Sequence, residues 1–282
     1  AGDRVAGETE AGMYAALDLP HVPPELREDR GEIEAAAAGD LPDLLLCDDL
    51  RGDLHTHTDW SDGRATLGEM VAAAAARGAD YHAVTDHATG PGMVGGVGLT
   101  DDDLRDQIAA IEDLDAPIPV LTGVEANVDA DGDLSVGDGV LAELDVVVAS
   151  PHSGLGQDRE TATERLVRAV EHPETDVLGH PTGRLINDRP GLAPDVERVA
   201  AAAAAADTAL EVNASPARLD LDGDAVRVAV EAGATVAVDT DAHHPTSLEN
   251  SRYGVHTARR GWATAADALN TRSLADLRAF LS

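Results

Sequence analysis

The sequence predicts an α/β fold, a distorted, TIM-like (β/α)7 barrel of seven strands. Two observations predict it. From residue 51 onward, seven short β-rich runs alternate with Ala-rich helical runs, the rhythm of a parallel sheet with helical crossovers. The chemically capable side chains then fall at the C-terminal ends of those runs. A closed barrel gathers these ends at one mouth, whereas an open doubly wound sheet would spread them along an edge.

Residues 1–50 come before that rhythm and are expected to form a connecting arm with short helices. Glu8 to Leu17 can make one helix, which Pro20, Pro23 and Pro24 break. Ile33 to Ala38 can make another before Gly39 and Pro42. From 51 to 282 the strand candidates are 52–57, 80–86, 118–125, 144–150, 176–180, 208–213 and 235–240. Helix candidates are 65–77, 101–114, 138–143, 160–171, 194–206, 222–232 and 273–281. Thr66 with Glu69, and Thr100 with Asp103, have the spacing of capping boxes at two helix starts. The alanine runs 72–76 and 200–206 suit packed helix, since Ala has the highest helix propensity.

Composition bounds the function classes. The 282 residues are long enough to bury a large core. No apolar run approaches the ~18 residues of a membrane span, and no signal peptide is visible. Cys47 is the only cysteine, which excludes an internal disulfide and a cysteine-based zinc site. These features fit a cytoplasmic setting without a membrane partner. The chain begins at Ala1 rather than Met, and a piece of a longer protein is expected. Net charge is −33, and every basic residue is Arg. Such a chain repels nucleic acid at low salt. Its acidic residues are scattered, as at Asp101, Asp102, Asp103, Asp220, Asp222 and Asp224. That pattern fits adaptation to molar salt, where the Debye length is about 3 Å, so charge does not exclude a phosphate-bearing substrate.

The stretch Asp53-Leu54-His55-Thr56-His57-Thr58-Asp59-Trp60-Ser61-Asp62-Gly63 is the centre of the chain. On extended backbone His55 and His57 face the same way, and Asp62 can fold back through the turn at Gly63. His87 ends the second strand beside Asp86, Glu125 the third, and His180 the fifth; His152 follows the fourth, and Asp241 and His243 follow the seventh. Imidazole and carboxylate without thiolate suit Zn, Mn or Fe. Nine candidates exceed the four ligands of one zinc, so more than one ion is expected, with Glu125 able to bridge. Clustered ions lower the pKa of water and neutralise charge on a phosphoryl oxygen. Arg184 and Arg218 are candidate phosphate clamps. Asn213 and Asp86 are candidates for orienting ligands. His21, His82, His172, His244 and His256 lack a metal-like context.

Two further patterns carry no chemistry. Gly90-Pro91-Gly92-Met93-Val94-Gly95 matches G-x-G-x-x-G, but a dinucleotide turn runs straight into its helix and this one does not. It reads as a mobile loop beside the mouth. Asp129-Ala130-Asp131-Gly132-Asp133 lacks the spacing and terminal Glu of a calcium loop and reads as a hairpin turn.

The set H-x-H…SDG, TDH, GVE, PHSG, GHP and TDAH resembles the polymerase and histidinol phosphatase (PHP) family over about residues 51–282. The resemblance implies a centre of three divalent ions (Mn, Zn or Fe) in a distorted seven-stranded barrel. Its ligands would be His55, His57, Asp62, His87, Glu125, His152, His180, Asp241 and His243, with catalysis resting on His55, His57, Glu125, His180 and Asp241. Many members have His where this chain has Asp62, and Pro151 stands where an aliphatic residue is usual. More finely, residues 22–33, 179–185 and 253–262 are similar to the C-terminal PHP domain of bacterial and archaeal X-family DNA polymerases. That implies a manganese-dependent 3′–5′ exonuclease on single-stranded or gapped DNA ends, a polymerase domain in cis, and a place in DNA repair. The chain has neither palm carboxylates nor helix-hairpin-helix contacts, so it is not expected to polymerise DNA. The alternatives are a small-molecule phosphomonoesterase, acting on histidinol phosphate or a nucleotide, and a metal-stabilised module that supports a polymerase.

Overall fold

A computed structural model describes residues 6–90 and 97–281. Most of the segment expected to form a mobile loop beside the mouth, residues 91–96, lies outside the described residues. Seven strands, β1 (Gly52–Asp53), β2 (Tyr81–Val84), β3 (Val120–Asn127), β4 (Val146–Ser150), β5 (Val177–Leu178), β6 (Ala209–Glu211) and β7 (Val236–Ala237), pair in chain order. Every pairing is parallel. Between them lie α3 (Leu67–Ala76), α4 (Asp101–Glu112), α5 (Asp138–Leu141), α6 (Arg159–Val170), α7 (Val196–Ala206) and α8 (Gly223–Glu231), followed by α9 (Ser251–Arg260) and α10 (Leu274–Phe280); α1 (Glu10–Ala15) and α2 (Glu32–Ala38) precede β1. Helices α3 and α4 start at the capping boxes of Thr66 with Glu69 and Thr100 with Asp103.

The sheet curls around an inner apolar cluster. Leu54, Ala83, Leu121, Val146, Val148, Val177, Ala209 and Ala237 meet there, so β1 to β7 or their immediate continuations all contribute, and α10 adds Leu277. An outer cluster joins β4 to β7 with α6, α7, α8 and α9. Between β7 and β1 the hydrogen bonding passes largely through side chains. Asp239 accepts from Leu54 N at 2.7 Å, and Asp53 accepts from Thr240 N at 3.2 Å and Thr240 Oγ1 at 2.5 Å. Only beyond them does backbone pairing resume, with His57 N donating to Ala242 O at 2.9 Å. This explains why β1 is shorter than its predicted span of 52–57. The chain leaves the ladder after Asp53, and the histidines stand on irregular backbone.

Two elements differ from expectation. The first fifty residues do not simply lead into the barrel. Val22, Leu26, Ala36 and Leu44 pack with Trp262, Leu44 pairs with Thr264, and Glu25 takes Arg259 at 2.9 Å and His256 at 2.8 Å. Helix α9 has no counterpart among the predicted helices, because it carries few apolar residues and a central glycine. That glycine is a packing requirement: a Cβ at Gly254 would lie 2.7 Å from Val238 Cγ1 and 2.8 Å from Ala214 Cβ.

G254A should therefore lower stability although Ala is the better helix former. The expected net cost is about 1–2 kcal/mol, or a drop on the order of 2–6 °C in Tm. Calorimetry checks this, and an unchanged or raised Tm would contradict the close packing of α9.

Candidate metal centre

Glu125 on β3 is 1% exposed, and both of its oxygens face imidazoles. Oε2 lies 2.6 Å from His87 Nδ1, 3.4 Å from His55 Nε2 and 3.6 Å from His57 Nε2. Oε1 lies 2.8 Å from His180 Nε2 and 3.2 Å from His152 Nε2. A second carboxylate, Asp241, sets its Oδ1 3.2 Å from His57 Nε2 and 3.5 Å from His243 Nδ1. A third, Asp62, lies 3.1 Å from His243 Nε2 and 3.6 Å from His87 Nε2. The structure thus brings all nine sequence-predicted ligands into one cluster. Three ligand groups are tight enough to hold an ion: His57, Asp62, His87 and His243; His55, His57 and Glu125; His87, Glu125 and His152. His180 and Asp241 stand at their edges.

Local backbone places these side chains. Gly63 lets the turn after His57 close, since a Cβ there would meet His57 O and Thr58 O at 2.6 Å. His180 and Asp241 adopt positive φ, 23° and 52°, conformations rare for non-glycine residues and common at functional sites.

The donor set fits a divalent ion. Buried polar atoms normally find hydrogen-bond partners, yet His57 Nδ1 and His180 Nδ1 are buried without one, and His55 Nε2, His57 Nε2, His87 Nδ1 and His152 Nε2 face Glu125 at 2.6–3.6 Å without the alignment of a hydrogen bond. Electrostatics keep the carboxylates ionised. Burial pushes Glu125 upward, but the surrounding imidazoles, His87 and His152 foremost, hold it well below the usual range. Burial likewise opposes ionisation of Asp241, and His57, His55 and Arg218 outweigh it. Burial and the neighbouring His243 and His87 lower His57 to about 3, and burial with Arg218 lowers His180 to about 3, so both are neutral near neutrality. His243 goes the other way: burial is overcome by Asp62 and Asp241, which raise it to about 9.

The supporting residues divide differently from expectation. Asn213 Nδ2 is 3.1 Å from Asp241 Oδ2, so it does touch a candidate ligand. Asp86 does not. Its oxygens accept from Thr58 N (2.8 Å), Thr58 Oγ1 (2.5 Å), Ser61 Oγ (2.5 Å) and Gln107 Nε2 (2.7 Å), which braces the turn leading to Asp62. Arg218 Nε lies 3.3 Å from Asp241 Oδ2, and its buried Nη1 has no partner. Arg184 is spent elsewhere: Nε donates to Arg218 O at 2.8 Å, Nη1 to Asp222 at 3.1 Å and Nη2 to Leu219 O. It clamps the loop that carries Arg218 because a guanidinium satisfies carbonyls that no strand pairs. The remaining histidines stay off the cluster. His82 bonds Thr56 Oγ1 at 2.9 Å, and His21, His172, His244 and His256 are engaged with Glu10, Asp138, Thr246 and Glu25.

A model of the PHP domain matches residues 53–215 of this chain, more than half of its length. This chain belongs to the PHP domain family. It is 40% identical over 276 residues to the DNA polymerase/3′–5′ exonuclease PolX of Bacillus subtilis; the match takes in 97% of the chain but only 48% of that protein. The chain thus spans about half the length of that relative. It is 31% identical over 203 residues to a probable phosphatase of Thermoanaerobacter sp. strain X514, covering 68% of the chain and 78% of that protein. The fold is shared with histidinol phosphate phosphatase of Lactococcus lactis, solved with zinc, L-histidinol and phosphate: TM-score 0.51, 19% identity, 74% of this chain and 93% of the other.

Within this PHP domain, sequence reasoning missed Glu211 on β6. It is fully buried. Its Oε1 takes His55 Nδ1 at 2.7 Å, and its Oε2 accepts His180 N at 2.5 Å and Asn213 Nδ2 at 3.1 Å. Burial raises its pKa, against the pull of His55. The available signal was a carboxylate two residues before Asn213, on the same face of an otherwise apolar strand. The bond to His55 Nδ1 fixes that ring with Nε2 turned toward Glu125, and the bond to His180 N supports that residue's unusual backbone. E211Q should weaken manganese binding about 10- to 100-fold, the range for lost support of a metal ligand. Free Mn²⁺ measured by EPR tests it; an unaltered isotherm in a folded variant would contradict the role.

Proposed function

We propose that this PHP domain is a metal-dependent phosphoesterase of up to three divalent ions, and that its substrate is the 3′ end of DNA, in a reducing cytoplasmic setting and alongside a polymerase domain in the same protein. The carrying observation is Glu125, a buried carboxylate with five imidazoles around two oxygens and unpartnered ring nitrogens beside it. The nine candidate residues would hold the ions. When bound, such ions supply Lewis acidity toward a phosphoryl oxygen and lower the pKa of water. The chain's own residues do the rest. Arg218, with its free buried Nη1, is placed to take a non-bridging phosphate oxygen, while Arg184 fixes the loop beneath it. Asn213 keeps Asp241 turned toward the histidines. Neutral His57 and His180 present nitrogen lone pairs without a proton to displace. Hydrolysis adds water across the terminal P–O3′ bond, releasing a nucleoside 5′-monophosphate and leaving a new 3′ hydroxyl.

The 40% identity to a PolX along almost the whole chain supports DNA over a small ester. The relatives called probable phosphatases keep the phosphomonoester reading as the competing one. A 5′-labelled single-stranded oligonucleotide and histidinol phosphate, each incubated with Mn²⁺ in molar KCl with and without chelator, separate the two. The expected result is a chelator-sensitive ladder shortening from the 3′ end. H180A should slow it more than about 100-fold, beyond the cost of disturbing a ligand's support. Phosphate release from histidinol phosphate with an intact oligonucleotide would move the protein to the small-ester class. Silence in both tubes would refute the enzyme reading.

A further inference from the structure

Aromatic rings are scarce here: two Trp, three Tyr and one Phe in 282 residues. Five of the six are accounted for within the protein. Tyr81 is buried, with its hydroxyl donating to Asn270 O at 3.1 Å. Tyr14 meets His21 edge-on, and arginines lie over Trp262 (Arg227, 4.1 Å), Phe280 (Arg272, 4.6 Å) and Tyr253 (Arg252, 4.7 Å). Trp60, by contrast, is neither fully buried nor matched with a ring or guanidinium among the described residues, and it is 36% exposed.

Its position is specific. Trp60 lies in the turn between His57 and Asp62, two of the clustered residues, and two residues of chain span at most about 7 Å. The turn is rigid. Asp86 accepts three hydrogen bonds from it, through Thr58 N, Thr58 Oγ1 and Ser61 Oγ, and Gly63 N donates to Thr58 O at 2.8 Å. An indole about one-third exposed is thus held beside the metal centre with no ring or guanidinium partner among the described residues. The net charge of −33 gives a nucleic-acid backbone no long-range attraction. A strand brought to this mouth needs a grip that is not electrostatic, and base stacking on an aromatic ring is one that every base can use.

We propose that Trp60 is the stacking platform for the nucleobase at the 3′ end of the strand, whose phosphate lies at the metal centre. This rests on the phosphoesterase reading and narrows its substrate to esters carrying a base. The platform is read independently of turnover in W262F, which keeps a ring under Arg227 and leaves Trp60 as the sole tryptophan. Its fluorescence, in the presence of Mn²⁺, is titrated with an oligonucleotide whose 3′-terminal linkages are hydrolysis-resistant phosphorothioates. Saturable quenching is expected, and the same oligonucleotide with an abasic 3′ residue should lack it. Absent quenching, or equal quenching by both, overturns the proposal even if the protein proves to cleave no DNA. A kinetic arm uses W60A and W60F. On a normal oligonucleotide W60A should raise KM about 5- to 100-fold with a smaller change in kcat, W60F should recover most of it, and on the abasic-ended substrate the difference from wild type should vanish. An equal defect on both substrates would show that Trp60 only shapes the turn. Cleavage by wild type with no defect in W60A would remove the platform and leave the phosphoesterase reading standing.

Discussion

Glu125 is a buried carboxylate, and an isolated charge in that position costs several kcal/mol. Five imidazoles are set against its two oxygens, and His87, His152 and His55 among them offset this cost and hold it ionised. The imidazoles come from backbone beyond four different strands, so the arrangement exists only when the sheet curls far enough to bring β1 and β5 to β3. The parallel order β1 to β7 and the inner cluster from Leu54 to Ala237 supply that curl. Burial and the charges of neighbouring groups explain the rest of the electrostatics. His57 and His180 are kept neutral, while His243, facing Asp62 at the rim, is raised.

Around this centre the barrel replaces regular pairing with side-chain bonds wherever a ligand must leave the ladder. Asp53 and Asp239 hold the seam between β7 and β1; burial and the charge of Asp239 raise Asp53 to about 7, and burial and the charge of Glu211 raise Asp239 to about 6. Glu211 serves His55 and the amide of His180 at once. Arg184 closes the loop that presents Arg218. The freed histidines and the irregular backbone are two sides of one construction: a residue aimed at the mouth gives up its place in the sheet, and a buried polar side chain takes that place.

All seven strands were legible, and the nine candidate ligands do gather in one cluster, because alternation of β-rich and Ala-rich runs is a local signal and the candidates recur at one end of it. The curled parallel sheet matches the expected barrel. What stayed hidden was set by partners distant in sequence. Nothing near Glu211 marks it as the partner of a histidine 156 residues away. Arg184 had the right residue type in the right loop, but its carbonyl partners lie 34 and 35 residues on. Asp86 stood beside His87 and yet faces the opposite turn. Helix α9 carries a weak apolar pattern because its packing rests on the small Gly254 against β7 rather than on bulky side chains. The arm read as a connector, since its docking depends on the Glu25 contacts with α9.

The central claim is that the imidazole and carboxylate cluster around Glu125 is a multinuclear metal centre. Anomalous diffraction from crystals grown with Mn²⁺ tests it most directly. The account predicts peaks on both sides of Glu125, among His57, Asp62, His87 and His243 and between the Glu125 oxygens and His55 or His152. A density map with ions bound elsewhere, or with the cluster free of them at saturating Mn²⁺, would contradict it.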